Sequence, residues 1–289
     1  MKFTFPRRAL MSCARITAAI TMFIMLAGFG SGERLFAPSA DLWERWQEND
    51  PNGSINIEHD AWKQFLAKYL RVQKDGANRL RYRDVSRKDR ESLVNYIGHL
   101  SAQPISRTNR AQQMAFWINL YNALTVKVTL DHYPVKSIRD IDISPGLFAD
   151  GPWGKQLIKV EGVALSLNDI EHRILRPIWK DPRIHYAVNC ASIGCPDLQP
   201  RPFSASSLDT DLNAAARAYI NDKRGVTIKD GAVSVSKIYD WFIEDFGDSA
   251  DAVLAHIIRY ARPSLKTRLE KIATISDAHY DWSLNDAAP

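Results

Sequence analysis

The segment Arg183-Ile184-His185-Tyr186-Ala187-Val188-Asn189-Cys190-Ala191-Ser192-Ile193-Gly194-Cys195-Pro196 brings a histidine, two thiols and several small residues into one short stretch. A nucleophilic thiol needs a group to take its proton and donors to hold a developing oxyanion. Cys190 is the candidate nucleophile. At the junction of a strand and a loop its sulfur can be open, and the following loop amides can face a bound carbonyl. Ala191, Ser192 and Gly194 allow close backbone approach. The chemistry would be hydrolysis or acyl transfer on an amide or ester. The same cysteines also read as a small-loop disulfide, a free thiol pair, or a thiol with a resolving partner. Their spacing is not the Cys-x-x-Cys of redox folds, which makes thiol–disulfide exchange the weaker idea.

The proton acceptor has two candidates. His185 is nearer in sequence. If Ile184–Asn189 is a straight strand, five residues at about 3.3 Å each put His185 roughly 16 Å from Cys190, and the odd separation turns the two side chains to opposite faces. His185 then reads as a structural, hydrogen-bonding histidine. His172, in Asp169-Ile170-Glu171-His172, lies on the preceding helix and is the better partner. Asp169 or Glu171 could orient its ring. Asp169 is also the third residue after Ser166, a capping position. The competing reading of each residue is ordinary: buried cysteines are common in cores, and a single histidine is more often packed than catalytic.

These residues need elements to position them. Helical spacing is read at Trp43/Trp46, at Trp62–Leu70, and from the cap Ser86-Arg87-Lys88-Asp89 through Leu100. The strongest run is Met114–Leu130. Trp117, Leu120, Tyr121 and Leu124 share one side, and Ala115, Asn119, Asn122 and Val126 the other. A helix apolar all round is buried, so Asn119 and Asn122 are buried with it. Each either ties down a neighbouring loop or lines a polar cleft and contacts an oxyanion. Residues 134–154 read as a long loop. Lys155–Val160 with Val163–Leu165, and Val226–Ile228 with Ala232–Val235, read as hairpins. Ser166 starts a short helix stopped by Pro177. Helices follow at Ser207–Asp222, at Ile238–Phe246 and at Asp251–Tyr260. This order predicts an α+β fold: a mostly helical front half, then small antiparallel hairpins or sheet packed against helices.

Residues 1–32 hold four bases and no acid, then an uncharged run from Ile16 to Gly32. That is the pattern of a signal peptide or an uncleaved anchor. Without it the formal charge drops from +5 to +1, so the basicity belongs to the leader. The mixed-sign stretch Arg79–Arg90 reads as a solvated face, and no nucleic-acid partner is expected. Any membrane association would run through an uncleaved leader. No Walker loop, dinucleotide fingerprint or zinc-finger spacing occurs, so neither cofactor nor metal is predicted. Residues 33–56 read as a polar linker with a short helix, and 57–285 as one globular domain.

Five ordered blocks resemble the domain-of-unknown-function 547 family: Ala115–Leu124, Leu167–Leu175, Asp181–Cys190 with Cys195-Pro196, Lys237–Phe246 and Tyr280–Leu284. Family members in bacteria often look exported. The resemblance implies a shared Cys190, Glu171, Asn119 and Asn122. It implies less for His172 and Cys195, which some relatives lack. It assigns no activity. The sequence therefore leaves two functional expectations. One is a periplasmic or secreted thiol-dependent hydrolase or acyltransferase using Cys190 and His172. The other is a non-catalytic binding or accessory module of the envelope with Cys190–Cys195 as a structural disulfide.

Overall fold

The computed structural model describes residues 34, 37–73, 76–146, 150–272 and 274–287. The leader expected over residues 1–32 lies outside them. The front half is helical. α1 (Asp60–Tyr69) buries Trp62, Phe65, Leu66 and Tyr69 on one stripe. Leu70–Arg71 (β1) pairs antiparallel with Arg79–Leu80 (β2). α2 (Arg87–Ser101) begins where the Ser86 hydroxyl accepts the Asp89 N–H, the cap its sequence predicts. It packs between α1 and α3 (Arg110–His132). α3 is buried on every side from Gln113 to Val126.

The two asparagines inside α3 are struts. Asn119 donates to the Phe203 carbonyl at 2.8 Å and accepts the Phe203 N–H at 3.0 Å. Asn122 donates to the Ala187 carbonyl at 2.9 Å and accepts the Asn189 N–H at 2.8 Å. Each amide thus satisfies two buried backbone groups of the segment it faces.

The second half mixes short helices and small sheets, an α+β arrangement. β3 (Ile158–Val160) and β4 (Val163–Leu165) form the first hairpin. Its turn residues Glu161 and Gly162 both have positive φ. A helical stretch follows, π-type over Asp169–Leu175 and α-type over Arg176–Trp179 (α4). Then come α5 (Leu208–Ile220), the hairpin of β5 (Val226–Lys229) and β6 (Ala232–Ser236), and α6 (Ile238–Trp241). α7 (Ala250–Tyr260), α8 (Pro263–Leu269) and β7 (Ile275–His279) complete the order. β7 lies parallel to β6, so this three-stranded sheet is mixed.

Three local expectations change. Ile184–Asn189 is not a strand: Pro182–Tyr186 is a 3-10 helix started by the Asp181 carboxylate, which accepts the Arg183 N–H at 2.9 Å. Its apolar residues are buried on opposite sides, Ile184 and Ala187 in one hydrophobic cluster and Tyr186 in the other. That demands a three-residue repeat, not two. Pro177 does not stop its helix but sits in the first turn of α4, where a missing N–H is tolerated. Ile238–Phe246 breaks at Phe242 into α6 and a 3-10 turn, Ile243–Phe246.

Asn119→Ala should leave the Phe203 N–H and C=O buried and unpaired. At about 1–3 kcal/mol per orphaned group, a loss of roughly 3 kcal/mol is expected in urea unfolding. A loss under about 0.5 kcal/mol, the scale of a surface change, would refute the strut role.

Candidate functional site

Cys190 is held by backbone clamps on both sides. Asn122 fixes Ala187 and Asn189, as above. The Asn189 amide accepts the Ala191 N–H at 3.0 Å and donates to the Pro196 carbonyl at 2.7 Å. Ala191 takes φ +61°, a left-handed turn that a non-glycine residue adopts at a cost. The C-terminal segment zips onto the other edge of the loop. Ile193 N–H bonds the Ser283 carbonyl, Gly194 N–H the Asp281 carbonyl, and Asn285 N–H the Ala191 carbonyl. Gly194 is required there: a Cβ would stand 2.7 Å from the Asp281 nitrogen. These bonds also commit the Ile193 and Gly194 amides. They are not free to serve as the oxyanion donors expected of this loop.

Donors converge on the Cys190 sulfur. Cys195 Sγ lies 2.9 Å away, Tyr280 Oη 3.1 Å and Ser192 Oγ 3.2 Å. The Cys195 thiol, as donor, does most to lower the Cys190 pKa; burial opposes it, and the Ser192 and Tyr280 hydroxyls add to the lowering. With a thiol at 190 the sulfur–sulfur bond can run either way; with a thiolate, Cys195 becomes the donor. Burial, then Cys190 itself, pushes Cys195 well up. Both cysteines are free. Burial also pushes Tyr280 far up, so its hydroxyl keeps its proton.

A second wall carries the histidines. In the π turn the Arg176 N–H reaches back to the Glu171 carbonyl, skipping His172. Pro177 has no N–H for the Arg173 carbonyl. Both freed carbonyls are taken by the N-terminal segment: Asp41 N–H bonds His172 O at 2.9 Å and Trp43 N–H bonds Arg173 O at 3.0 Å. The stretch expected to be a linker is therefore docked, and Trp46 is buried edge-on against Trp117.

His172 Nδ1 accepts from Arg176 at 2.9 Å, which puts the ring proton on Nε2, facing Glu171 at 4.0 Å. Burial first, then the Arg176 charge, holds His172 at about 4, against the pull of Glu171. His185 Nε2 meets Asp245 Oδ2 at 2.6 Å, and its Nδ1 faces Glu171 at 4.0 Å. Burial would raise Asp245, but the His185 ring and the Arg176 guanidinium outweigh it and hold it at about 2. Phe242 stacks on His185 at 4.6 Å and on His172 at 5.6 Å. Glu171 also stands beside the Tyr121 hydroxyl.

Both walls face one cavity of about 610 Å³, lined by Cys190, Cys195, Glu171, His172, His185 and Tyr280 among others. That volume suits a small-molecule or side-chain-sized ligand. Trp153, Trp241 and Trp282 cover its apolar side, with Trp241 and Trp282 stacked at 5.5 Å. Among the described residues, no group of three His, Cys, Asp or Glu side chains could hold a metal, and no helix is long and apolar enough to cross a membrane.

Of the residues singled out from the sequence, Cys190, His172, Glu171 and His185 meet at this cavity. Asn119 and Asn122 stand behind it as struts and do not line it. The Asp169 carboxylate accepts from the Ser166 hydroxyl at 2.7 Å and the Ser166 N–H at 2.9 Å and pairs with Arg173 at 3.2 Å, so it is committed to the helix start. Among the described residues no hydrogen bond joins Cys190 to either histidine. Sequence reasoning missed Asp245, Arg176, Tyr280, Ser192 and Tyr121. Tyr121, Asp245 and Tyr280 lay within the family-like blocks, which was the available signal.

Residues 105–220 match the model of the family described as "Protein of unknown function, DUF547". The match contains α3, the π turn and both cysteines, and it supports the resemblance read from the sequence. No curated protein and no solved structure matches the chain.

The neutral His172 makes stability depend on pH. Its folded value of about 4 lies below the ordinary 6.5, so the unfolded chain takes the proton first. His172's contribution is complete above about pH 6.5 and is lost as pH falls toward 4, by about 3 kcal/mol. His256, also held at about 4 chiefly by burial, adds to the same window. Urea midpoints should fall steadily from pH 6.5 to 4. His172→Asn, which keeps an acceptor for Arg176, should flatten that slope. An equally steep slope in the variant would show that His172 is not the titrating group.

Proposed function

We propose that the protein is an exported thiol-dependent hydrolase or acyltransferase with Cys190 as its nucleophile. The observation that carries this reading is the Cys190 sulfur at the wall of the cavity, with Tyr280, Ser192 and Cys195 within hydrogen-bond reach. Such donors favour the thiolate, the reactive form. Residues 1–32 fit a leader that would deliver the protein to the periplasm or outside the cell.

The thiolate attacks the carbonyl carbon of an ester or amide, and the tetrahedral oxyanion is met by the Tyr280 O–H, the protonated donor beside the sulfur. Collapse breaks the bond to the leaving group, which takes a proton from an imidazolium; that histidine received, through water in the cavity, the proton that Cys190 gave up to form the thiolate. Water then attacks the thioester, gives that proton back, and releases the acid and the thiolate. Of the two histidines, His185 suits the proton step better. Asp245 orients its Nε2 and can balance the imidazolium, and its Nδ1 faces the carboxylate of Glu171. His172 has its Nδ1 engaged by Arg176 and resists protonation. It serves to position Arg176 and Glu171.

The second reading, a non-catalytic envelope module with a structural disulfide, draws on the contact of the two sulfurs. Acylation separates the two. Reduced protein given p-nitrophenyl acetate should gain one acetyl group on Cys190 with release of p-nitrophenol, and Cys190→Ser should gain none. Asp245→Asn should slow turnover about a hundredfold, the usual weight of a positioned acid–base group. Iodoacetamide should modify Cys190 faster than glutathione at neutral pH. Labelling no faster than glutathione, together with no acetyl-Cys190, would sink the enzyme reading.

A further inference from the structure

Cys195 has no part in that acyl-transfer sequence beyond donating to a thiolate, yet its sulfur touches the nucleophile. The loop holds it there. Arg224 bonds the Cys195 carbonyl at 3.1 Å, Asn189 bonds the Pro196 carbonyl at 2.7 Å, and the Cys190 N–H is directed at Cys195 Sγ at 3.0 Å. The two sulfurs are also unlike. Cys190 is partly open, while Cys195 is buried. A small oxidant arriving through the cavity meets Cys190 with the Cys195 sulfur 2.9 Å from its own.

We propose that Cys190 and Cys195 form a peroxide-oxidisable pair: Cys190 is the site of sulfenylation by a hydroperoxide, and Cys195 is the resolving thiol that closes a reversible disulfide over the site. The Cys190 sulfur attacks the peroxide oxygen, the S–O bond forms and the O–O bond breaks. The departing alkoxide or hydroxide takes a proton from solvent and leaves as alcohol or water. Tyr280 and Ser192, hydrogen-bonded to each other at 2.8 Å and both at the sulfur, are placed to assist that departure. Cys195 then attacks the Cys190 sulfur. The S–S bond forms, the S–O bond breaks, and hydroxide leaves with the Cys195 proton as water. The sum converts one hydroperoxide and two thiols to one alcohol, one water and one disulfide. An external thiol reductant restores both thiols.

The lowered Cys190 and raised Cys195 pKa values support this division of labour: the more open of the two cysteines is the one that ionises more readily. The Cys190 N–H aimed at Cys195 Sγ would stabilise Cys195 as it loses its proton. Fast resolution matters because a sulfenic acid left unresolved oxidises irreversibly to sulfinic and sulfonic acids. The pair would thus both switch off and protect the nucleophile. The proposal rests on the nucleophilic Cys190 of the preceding reading and not on acyl transfer itself.

The test uses the full chain, reduced, desalted and treated with hydrogen peroxide in the presence of dimedone, then mapped by mass spectrometry. Wild type should give a Cys190–Cys195 disulfide that dithiothreitol reduces without denaturant. Its iodoacetamide labelling at Cys190 should vanish and return with the reductant. Cys195→Ser, with Cys195→Ala as a second variant should the first misfold, should accumulate at least about ten times more dimedone adduct at Cys190 and pass on to the irreversible acids. Equal adduct in wild type and variants would overturn the resolving role. A bridge that only denatured protein surrenders to dithiothreitol would overturn reversibility and identify a structural disulfide. If the pair oxidises as expected but p-nitrophenyl acetate never acylates Cys190, the acyl-transfer reading fails alone. If acylation succeeds and no bridge forms, the redox proposal fails alone.

Discussion

The site is organised around one buried guanidinium. Arg176, with its side chain 1% exposed, donates to Asp245 and Glu244 at 2.6 Å each, to the Pro38 carbonyl at 2.7 Å and to His172 Nδ1 at 2.9 Å. Its flat face lies 4.6 Å from the Phe242 ring. Three segments far apart in sequence, the one at Pro38, the helix of His172 and Arg176, and the one from Phe242 to Asp245, meet on that group. Desolvating a charge so fully can cancel the Coulombic gain, so the arrangement is poor evidence of net stability. Its effect is geometric. A planar fork accepts partners only in its own plane and spacing, so each segment has one position in which the others are also satisfied. Removing the fork would leave the half-buried Asp245 with only His185 to answer its charge. The tautomer of His172 follows from the same contact.

The next level is the backbone irregularity beside it. A regular α-helix through Asp169–Trp179 would use its own carbonyls and present a closed surface. The π turn and Pro177 leave the His172 and Arg173 carbonyls unpaired along one line, and a buried unpaired carbonyl must find a donor. The chain from Pro38 to Trp43 supplies two N–H groups at that spacing. π segments recur at functional sites because an inserted residue re-aims side chains at the cost of local hydrogen bonds. Here Glu171 and His172 both face the cavity, and the repair of the broken bonds adds Ala37 and Pro38 to its wall. A local irregularity thus decides both the side-chain aim and the docking of a distant segment.

This explains what the residue pattern could and could not reveal. The helices with strong apolar stripes, the Ser86 cap and both hairpins are local properties and were readable as such. Asn119 and Asn122 were recognisable as buried because α3 is apolar all round, but only the fold tells which loop they hold. The segment Ile184–Val188 misled because a short apolar run carries no period of its own. Its conformation follows from Asp181-Pro182 and from burial between two clusters. That changed the geometry at the site, since a strand would have carried His185 away from Cys190, whereas the 3-10 turn and the residues just after it leave His185 and Val188 both on the cavity. Arg176, Asp245 and Tyr280 had no local mark, because their importance lies in contacts spanning about 70 to 140 residues of sequence.

The cavity keeps its two kinds of chemistry on separate walls. The sulfur is surrounded by Ser192, Cys195 and Tyr280, and among the described residues no hydrogen bond joins it to the histidines and carboxylates that line the same cavity. In a thiol–imidazole ion pair the same histidine ionises the sulfur and later protonates the leaving group. Here the groups that lower the Cys190 thiol are Cys195, Ser192 and Tyr280, all neutral hydrogen-bond partners. A thiolate stabilised by hydrogen bonds gives up some intrinsic nucleophilicity. Burial works the other way, raising the thiol and sharpening the anion. The balance of these two effects sets how reactive Cys190 is, and Cys195 sits at the balance point: as a thiol it donates and lowers Cys190, whereas once ionised it would repel the charge beside it. The strong upward push on Cys195, from burial and from Cys190 itself, keeps it in the donating form, so the lowering of Cys190 depends on its buried neighbour remaining a thiol.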